Sequence, residues 1–476
     1  MTDIIKPDLC ILGAGALGIG LATKARQRDL SVVLVDQPGD DGADSALGAL
    51  QRAAFSASAA RAHSVRTAAA LGLGHADPKP NFRAITEHAE SVAAGYGPQY
   101  SDERLRALGM TRLSEPSSFV DRRTLKVGDT LIRAGQFILV TGARPIVPDL
   151  PGLDEVAFFT PDTILANIRK LSHLVVIGGT PEALELAQAY RRLGSAVTLV
   201  AQGPLLPGFD PEMVAVLLRA LREEGVDYKE GASVTAVLPR RQGTGIAIAQ
   251  ADGSADSLDV SHILVAMGRV PNLDAALLDK AKLKRDSARP DHLQLRPSGQ
   301  TSNNRISAIG GAAGEYRSHH ALHQARIVLQ RASGDAGARI DPLRVPHLVS
   351  TSPALAQIGL VENGAPLRSG QLVLRAGLVE NAAARASGSA SGSAKLIVER
   401  NGAIVGFSLV GEGAGDIVAL MAVAIDRGLT AVGLEALLLP EPSLAAILIE
   451  LGRQFTAQRP PDAWARRRIA LRRLLP

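Results

Sequence analysis

Three glycines and one carboxylate near the start of the chain have the spacing of a phosphate-binding turn. Gly13, Gly15 and Gly18 form G-x-G-x-x-G in the run LGAGALG, and Asp36 ends the next apolar strand. The first glycine permits a tight turn, the second lets a pyrophosphate approach the backbone, and the third allows a helix to pack closely on a strand. The helix start offers free N–H groups to phosphates, and an acid at the strand end can bind a ribose. The pattern predicts a dinucleotide site.

A second turn of the same kind is incomplete. Gly178 and Gly179 follow an apolar strand, but Thr180 and Ala183 stand where the motif has glycine. Their β-carbons take space that the pyrophosphate and the helix–strand contact need. Ala201 replaces the acid expected at the end of the following strand. We therefore expect a turn that forms but binds a dinucleotide weakly.

The elements around these turns predict an α/β fold with two nested Rossmann-like units. Residues 8–37 indicate strand, turn, helix and strand, and a second such unit begins at Leu174. Each unit is followed by a meander, a buried strand and a similar loop, which is VTGARP in the first and AMGRVPN in the second. The run ISAIGG near residue 306 is interpreted as a strand that returns to the first unit. The second unit is therefore predicted to be inserted into the first.

Changes in composition and pattern divide the chain into three predicted domains. Residues 1–150 and 272–340 form the first nucleotide-binding domain, and residues 151–271 form the second. Residues 341–476 form an α+β domain in which an antiparallel sheet is predicted.

Segments outside the glycine turns carry expectations of their own. Residues 45–70 and 84–94 are predicted to be helical, and residues 112–140 are predicted to form an antiparallel meander that ends in a buried strand. The Ser/Gly-rich residues 384–394 are predicted to be a flexible loop. The basic tail, residues 463–476, is interpreted as a solvated helix, or alternatively as a contact to a partner or an anionic surface.

Composition excludes several classes of protein. The 476 residues are 46% hydrophobic with a net charge of +5, and basic residues do not alternate with aromatic ones, so no nucleic-acid partner is expected. No apolar run reaches the roughly 18 residues of a transmembrane helix. The single cysteine, Cys10, excludes an intrachain disulfide and a cysteine-based zinc site. A chain with a single cysteine is typical of a reducing compartment, so a cytoplasmic location is expected.

The order of these motifs resembles that of the pyridine nucleotide-disulfide oxidoreductase family of flavoproteins, and most closely its dihydrolipoamide dehydrogenase and mercuric reductase-like branch. The resemblance covers residues 7–455. It implies FAD in the first domain, NAD(P)H in the second, and a homodimer held by the C-terminal dimerisation domain. Because of Thr180, Ala183 and Ala201, we expect NAD(P)H to bind weakly, with little preference between NADH and NADPH. The resemblance also implies that Thr141, Gly142 and Gly310 contact FAD, and that Gly268 belongs to the nicotinamide nucleotide site.

The same resemblance predicts that this chain lacks the thiol chemistry of the family. The two redox cysteines of the family fall on Asp44 and Ala49, and its acid–base histidine falls on Glu441, which we interpret as an exposed loop acid. Glu185 matches the family glutamate near the flavin, whereas its lysine partner falls on Ala53. We expect water or another base beside Glu185.

Two further departures concern the cofactor. The family has Gly-Asp where this chain has Gly310 followed by Gly311, so one hydrogen bond to FAD, worth about 1 kcal/mol, is expected to be lost. His319, His320 and His323 lie where a helix of the family points at the flavin. We interpret them as helix-surface histidines, with proximity to the flavin or metal binding as alternatives.

Two functional hypotheses remain. The first is a flavoenzyme that passes electrons from NAD(P)H through FAD directly to a small-molecule acceptor other than a disulfide. It has no assigned catalytic residue and no dihydrolipoamide, glutathione or mercuric reductase activity. The second is a degenerate family member that serves as a nucleotide-binding or structural partner subunit with little catalysis.

Overall fold

The computed structural model of the chain describes residues 4–36, 46–240, 243–274, 279–362, 368–458 and 471–472. The helices are α1 (Ala16–Arg26), α2 (Ala46–Thr67), α3 (Phe82–Ala94), α4 (Asp102–Ala107), α5 (Pro181–Arg192), α6 (Pro211–Glu223), α7 (Ser318–Ala332), α8 (Ala382–Ala386), α9 (Ala414–Asp426), α10 (Ala431–Glu435) and α11 (Ala446–Ala457). The helices predicted at 45–70 and 84–94 correspond to α2 and α3.

The strands are short and spread over the whole chain. They are β1 (Ile4–Ile5), β2 (Leu9–Leu12), β3 (Val32–Val35), β4 (Thr111–Leu113), β5 (Ser117–Phe119), β6 (Leu125–Val127), β7 (Thr130–Ile132), β8 (Gln136–Leu139), β9 (Ala143–Pro145), β10 (His173–Ile177), β11 (Ala196–Ala201), β12 (Val226–Glu230), β13 (Ser233–Pro239), β14 (Thr244–Ala249), β15 (Ala255–Val260), β16 (His262–Val265), β17 (Arg269–Pro271), β18 (Ile306–Ala308), β19 (His347–Val349), β20 (Ala354–Gly359), β21 (Leu372–Gly377), β22 (Ser393–Val398) and β23 (Ile404–Gly411).

The chain divides into two compact units. The first comprises Met1–Pro207 and Glu224–Asp341, and the second comprises Gly208–Glu223 and Pro342–Pro476. Helix α6 thus belongs to the second unit, although its residues lie inside the segment 151–271 that we assigned to the second nucleotide-binding domain. Its anchor is Asp210, whose carboxylate lies 2.9 Å from the buried ammonium of Lys395 in β22.

A five-stranded parallel sheet carries the first glycine turn. Its order is β18-β8-β2-β3-β4, and α1 connects β2 to β3. Leu9 and Ile11 of β2 belong to one apolar core, and Cys10 and Leu12 belong to another on the opposite face of the sheet. Burial on both faces explains why this strand is apolar without alternation. The predicted return of the chain to this sheet at residue 306 is confirmed, because β18 pairs with β8 in parallel.

A four-stranded parallel sheet in the same unit carries the second glycine turn. Its order is β12-β11-β10-β16, with α5 between β10 and β11. The antiparallel strands β13, β14 and β15 form the predicted meander that precedes the buried strand β16. This nested α/β arrangement confirms the predicted fold class.

The predicted meander over residues 112–140 is only partly correct. Strands β5, β6 and β7 are antiparallel neighbours as expected. Residues 111–113, however, form β4, which pairs with β3 in parallel at the edge of the first sheet. The amide of Asp36 donates to the carbonyl of Leu113 at 2.8 Å, so the end of β3 fixes this edge strand.

The second unit is built on an antiparallel sheet. Its order is β19-β20-β23-β22-β21, and residues from α9, α10 and α11 share its apolar core. The flexible loop predicted at residues 384–394 is wrong in part, because α8 covers its start and β22 begins at Ser393. The side chain of Asn381 caps α8 by accepting from the Ala384 amide, and Ala384 is fully buried. A cap and one buried methyl group thus order a segment whose composition suggests a linker.

The basic tail predicted at 463–476 lies outside the described residues except for residues 471–472. Among the residues that the structure describes, no helix combines the length and the apolar character needed to cross a bilayer.

Candidate nucleotide-binding site

The first glycine turn is open towards a ligand. Gly13 has a φ of +116°, and a β-carbon on it would collide with the carbonyl oxygen of Val140. A β-carbon on Gly18 would collide with the carbonyl oxygen of Gly13, which explains the close helix packing. Gly15 is the N-cap of α1, no side chain caps that helix, and no described atom lies within 4 Å of the place where its β-carbon would be. The amides of the first turn of α1 are therefore available to an anion.

A cavity of about 780 Å³ lies against this turn. Its wall includes four of the predicted cofactor residues, namely Gly15, Asp36, Gly142 and Gly310. Its size suits a large organic ligand, since such sites typically measure about 300–1,000 Å³. Gly13 and Gly18 shape the turn behind the wall instead of lining it.

Arg112 is a residue of this cavity that the sequence analysis missed. Its guanidinium forms an ion pair with Asp36 and lies 2.8 Å from an oxygen of Asp102. The hydrogen bond to Asp36 raises the pKa of Arg112 above its ordinary value. Its Nε is buried and has no hydrogen-bond partner among the described residues. The sequence offered no signal for Arg112, because the segment 112–140 was predicted to be an antiparallel meander, whereas β4 pairs in parallel with β3, the strand before Asp36.

The loop that includes Thr141 and Gly142 is closed against its neighbours. The Thr141 hydroxyl donates to the carbonyl of Asn272 at 2.7 Å, so it is engaged within the protein. A β-carbon on Gly311 would lie 2.5 Å from the carbonyl carbon of Gly142. An aspartate at position 311 therefore requires a backbone shift. The packing of these two loops favours glycine, rather than the aspartate of the Gly-Asp motif, at this position. The amide of Gly310 donates to Gln324 at 2.7 Å.

The residues of the first turn fit a flavin adenine dinucleotide. Gly15 provides uncapped helix amides, Asp36 provides a carboxylate at the strand end, and Arg112 provides a buried N–H without a partner. The second uncapped helix start in the cavity wall is that of α7, at Arg317. Two positive helix ends and an unsatisfied donor suit a ligand that carries phosphates.

The second turn forms but is capped by its own side chain. Gly178 has a φ of +131°, and a β-carbon there would collide with the carbonyl oxygen of Ala266, as at the first turn. Thr180 is the N-cap of α5: its hydroxyl accepts from the Ala183 amide at 3.3 Å and donates to Ala266 at 3.0 Å. An amide that is available in α1 is thus already bonded in α5. Ala183 is fully buried, so its methyl group occupies the helix–strand contact.

A carboxylate also lies in the first turn of α5. Glu182 accepts from the buried Arg269 at 3.3 Å, and Arg52 of α2 lies 3.7 Å away. Burial would raise the pKa of Glu182, but Arg269, Arg52 and Arg317 outweigh it and hold the pKa below its ordinary value. A charged carboxylate at the positive end of a helix stabilises the helix and repels a phosphate. Sequence reasoning missed Glu182, although an acid directly after a glycine turn was a visible signal.

The remaining residues assigned to the second nucleotide lie close to other side chains or form an ion pair within the protein. A β-carbon on Gly179 would lie 3.2 Å from a methyl group of Leu205 and 3.4 Å from the β-carbon of Ala201. Gly268 has a φ of +106° and lies beside Thr180. Glu185 pairs with Arg317 at 3.2 Å, so another base takes the place of the missing lysine, as expected.

The interpretation of the three histidines as helix-surface residues is wrong for His320, which is buried. His320 lies 3.0 Å from Glu315 and packs edge-on against the ring of His319. Burial lowers the pKa of His323. Within the described part of the chain, no group of three or more His, Cys, Asp or Glu side chains could hold a metal ion.

The positions that align with the thiol machinery of related flavoproteins carry no thiol, and the one cysteine of the chain is buried. Cys10 is fully buried in β2, and burial raises the pKa of its thiol. Ala49 and Ala53 lie on α2, whereas Asp44 lies outside the described residues. Glu441 of the second unit is exposed and forms no ion pair with any described residue.

An open dinucleotide turn, a second parallel sheet inserted after it and a separate antiparallel unit are the arrangement that we expected of a flavoprotein with two dinucleotide sites. Residues 7–326 match the pyridine nucleotide-disulphide oxidoreductase family, and residues 345–451 match the dimerisation domain of that family. The chain belongs to this family, whose members bind FAD and use NAD(P)H.

Similar proteins come from the expected branch. The chain is 28% identical over 432 residues to a mercuric reductase of Staphylococcus aureus, which covers 89% of this chain and 78% of the relative. It is 29% identical over 456 residues to a dihydrolipoyl dehydrogenase of Thermus scotoductus, which covers 93% and 96% respectively. The Cu(II) complex of the HOCl-induced flavoprotein disulfide reductase RclA from Escherichia coli has the same fold. Its TM-score is 0.81 at 20% identity, covering 96% of this chain and 100% of RclA.

Proposed function

We propose that this protein is an FAD-dependent oxidoreductase that delivers electrons to an acceptor other than a disulfide. The observation that carries the proposal is the contrast between an open first turn at Gly15 and a single cysteine that is buried in β2. A dithiol cannot form within a chain that contains one cysteine, Cys10. The thiolate is the reactive form of cysteine, and burial disfavours it.

The first turn supplies the groups that would hold FAD. The amides at the start of α1 follow Gly15, and Asp36 and Arg112 form the ion pair at the ribose end of the motif. When bound, FAD supplies a reversible two-electron carrier. Gly142 and Gly310 bring backbone, without side chains, to the cavity wall.

Reduced nicotinamide is proposed as a weakly bound electron donor. Thr180 already bonds an amide of α5, and Glu182 places a negative charge in the first turn of that helix. Ala201 provides no carboxylate for a ribose 2′-hydroxyl and no charge to repel a 2′-phosphate. Little preference between NADH and NADPH is expected.

The test compares acceptors on purified, FAD-reconstituted protein. We expect a flavin absorption spectrum, reduction by millimolar NADH or NADPH under anaerobic conditions, and reoxidation by a quinone or by oxygen. Oxidised lipoamide and glutathione disulfide should not reoxidise it. Turnover of either disulfide that is lost in Cys10→Ser would refute the proposal.

A partner subunit with little catalysis is the second candidate. The self-capped second turn favours it, because a protein that takes no electrons from nicotinamide needs no open turn there. Retention of FAD without reduction by either nucleotide, at any concentration up to several millimolar, would select this candidate over the enzyme.

A further inference from the structure

A second cavity lies at the end of α5 that is remote from the glycine turn. It has a volume of about 510 Å³ and is formed by the ends of α2 and α5 and by residues that precede β10 and β11. Basic side chains dominate its wall. The cationic residues are Arg66, Lys79, Lys170, Arg191 and Arg192, and the acidic residues are Asp77 and Glu224.

The two acids of this cavity are neutralised by two of the arginines. Arg192 is 5% exposed and lies 2.6 Å from a carboxylate oxygen of Glu224. Arg66 lies 3.0 Å from Asp77 and also donates to the carbonyl of Arg192 at 2.6 Å. Arg191 donates to the backbone carbonyls of Glu224 at 2.8 Å and Ser195 at 3.3 Å, so its guanidinium is held against the protein backbone.

The two lysines add charge that the fold does not use. Lys79 and Lys170 are exposed, and neither forms an ion pair with a residue in the described ranges. The Lys170 ammonium lies over the turn after α5, since a β-carbon on Gly194 would be 3.6 Å from its Nζ. Like charges around one concave surface repel each other and attract a multivalent anion. Burial lowers the pKa of His63 in the same wall. Glu224 opposes this shift, whereas Arg192 and Arg66 add to it.

The position of the cavity separates it from the dinucleotide sites. Lys170 precedes β10 and Gly194 precedes β11, so the cavity lies at the amino ends of these parallel strands. Dinucleotides bind at the carboxyl ends of such strands. The 12 residues of α5 span about 18 Å between the two ends.

We propose that this cavity binds a multivalent phosphate anion, with Lys79 and Lys170 as its direct ligands. The three arginines hold the wall in place, and the lysines contribute the charge that remains available. The ligand is either a free polyphosphate or the diphosphate group of a nucleotide, because both present the same charge to the lysines.

Calorimetric titration of the FAD-loaded protein with inorganic pyrophosphate tests the site. The double variant Lys79→Gln with Lys170→Gln should bind at least about tenfold more weakly, because it removes two charges from direct contact. The control carries the same change in net charge at two exposed lysines elsewhere in the first unit, Lys126→Gln with Lys284→Gln. Its affinity should stay within about twofold of the unaltered protein.

Three outcomes would overturn the proposal. They are equal losses in both double variants, an unchanged affinity in the Lys79/Lys170 variant, and no binding of pyrophosphate at 1 mM to the unaltered protein. A parallel titration with ADP identifies the source of the phosphates. Tighter binding of ADP than of pyrophosphate indicates a nucleotide, and equal or weaker binding indicates the free anion.

Discussion

Glu182 places a carboxylate of the protein in the first turn of α5, the end of the helix that binds phosphate in related folds. Its charge is maintained by Arg269, which is 2% exposed, and by Arg52. The equivalent turn of α1 contains no acid. A single side chain therefore distinguishes the electrostatics of two turns whose backbones are alike.

Replacing this carboxylate should strengthen nucleotide binding. In Glu182→Gln the dissociation constants of NADH and NADPH should both fall by about two- to fivefold, the effect of removing a charge near a helix end. Fluorescence titration measures this change. Glu103→Gln, which removes an acid from the first turn of α4, serves as the matched control and should leave both constants unchanged.

Glu182 should also contribute to the acid sensitivity of the protein. Because its pKa is lowered in the folded state, its stabilising effect is fully present above its unfolded-state pKa of about 4.3 and is lost as the pH falls through the folded value. The free energy of unfolding in urea should therefore fall more between pH 5 and pH 3 for the unaltered protein than for Glu182→Gln. Parallel pH profiles of the two proteins would exclude this role.

At the scale of elements, the side chain that caps α5 also occupies an amide that an anion would otherwise bind. Thr180 bonds the Ala183 amide and the Ala266 carbonyl, whereas α1 begins at a glycine without a side-chain cap. A capping threonine contributes about 1 kcal/mol to helix stability.

Removing the side-chain cap of α5 should lower the stability of the protein and raise its affinity for nicotinamide nucleotides. Thr180→Gly with Ala183→Gly should lower the free energy of unfolding by about 1–2 kcal/mol, through loss of the cap and of helix propensity. Both nicotinamide nucleotides should bind more tightly. Urea denaturation and nucleotide titration measure the two effects, and Ala187→Gly on the same helix controls for propensity alone. A variant that loses stability without gaining affinity would contradict this role for Thr180.

Local patterns predicted the first turn well because all its determinants lie close in sequence. Gly13, Gly15 and Gly18 fix the turn, and the apolar strands on either side identify the sheet. The state of the second turn depends on partners far along the chain. Arg269, which pairs with Glu182, is separated from it by 87 positions. The direction of the Thr180 hydroxyl likewise depends on Ala266 and could not be derived from the turn itself.

At the scale of the whole molecule, the second unit exposes apolar side chains that suit a homodimer. Leu420 and Val423 on α9 are 51% and 62% exposed, and Leu438 is almost fully exposed. Residues 345–451 match the dimerisation domain of the family. We expect these side chains to contribute to the contact between two copies.

Carboxylates on the exposed apolar side of α9 should dissociate the homodimer. Leu420→Glu with Val423→Glu should shift the protein from dimer to monomer at micromolar concentration, because burying two unpaired carboxylates costs several kcal/mol. Sedimentation velocity reports the mass directly. Leu71→Glu with Leu73→Glu, at two exposed leucines of the first unit, should leave the dimer intact. A monomeric unaltered protein would refute the assignment.

The close approach of Gly311 to Gly142 limits which residues position 311 can accept. A β-carbon at position 311 would lie 2.5 Å from the carbonyl carbon of Gly142, so a larger residue there requires the two loops to move apart. Gly311→Asp alone is therefore expected to lower the free energy of unfolding, because its side chain forces these loops apart. A side-chain contact to the cofactor at this position can therefore be engineered only together with substitutions that let the loops separate.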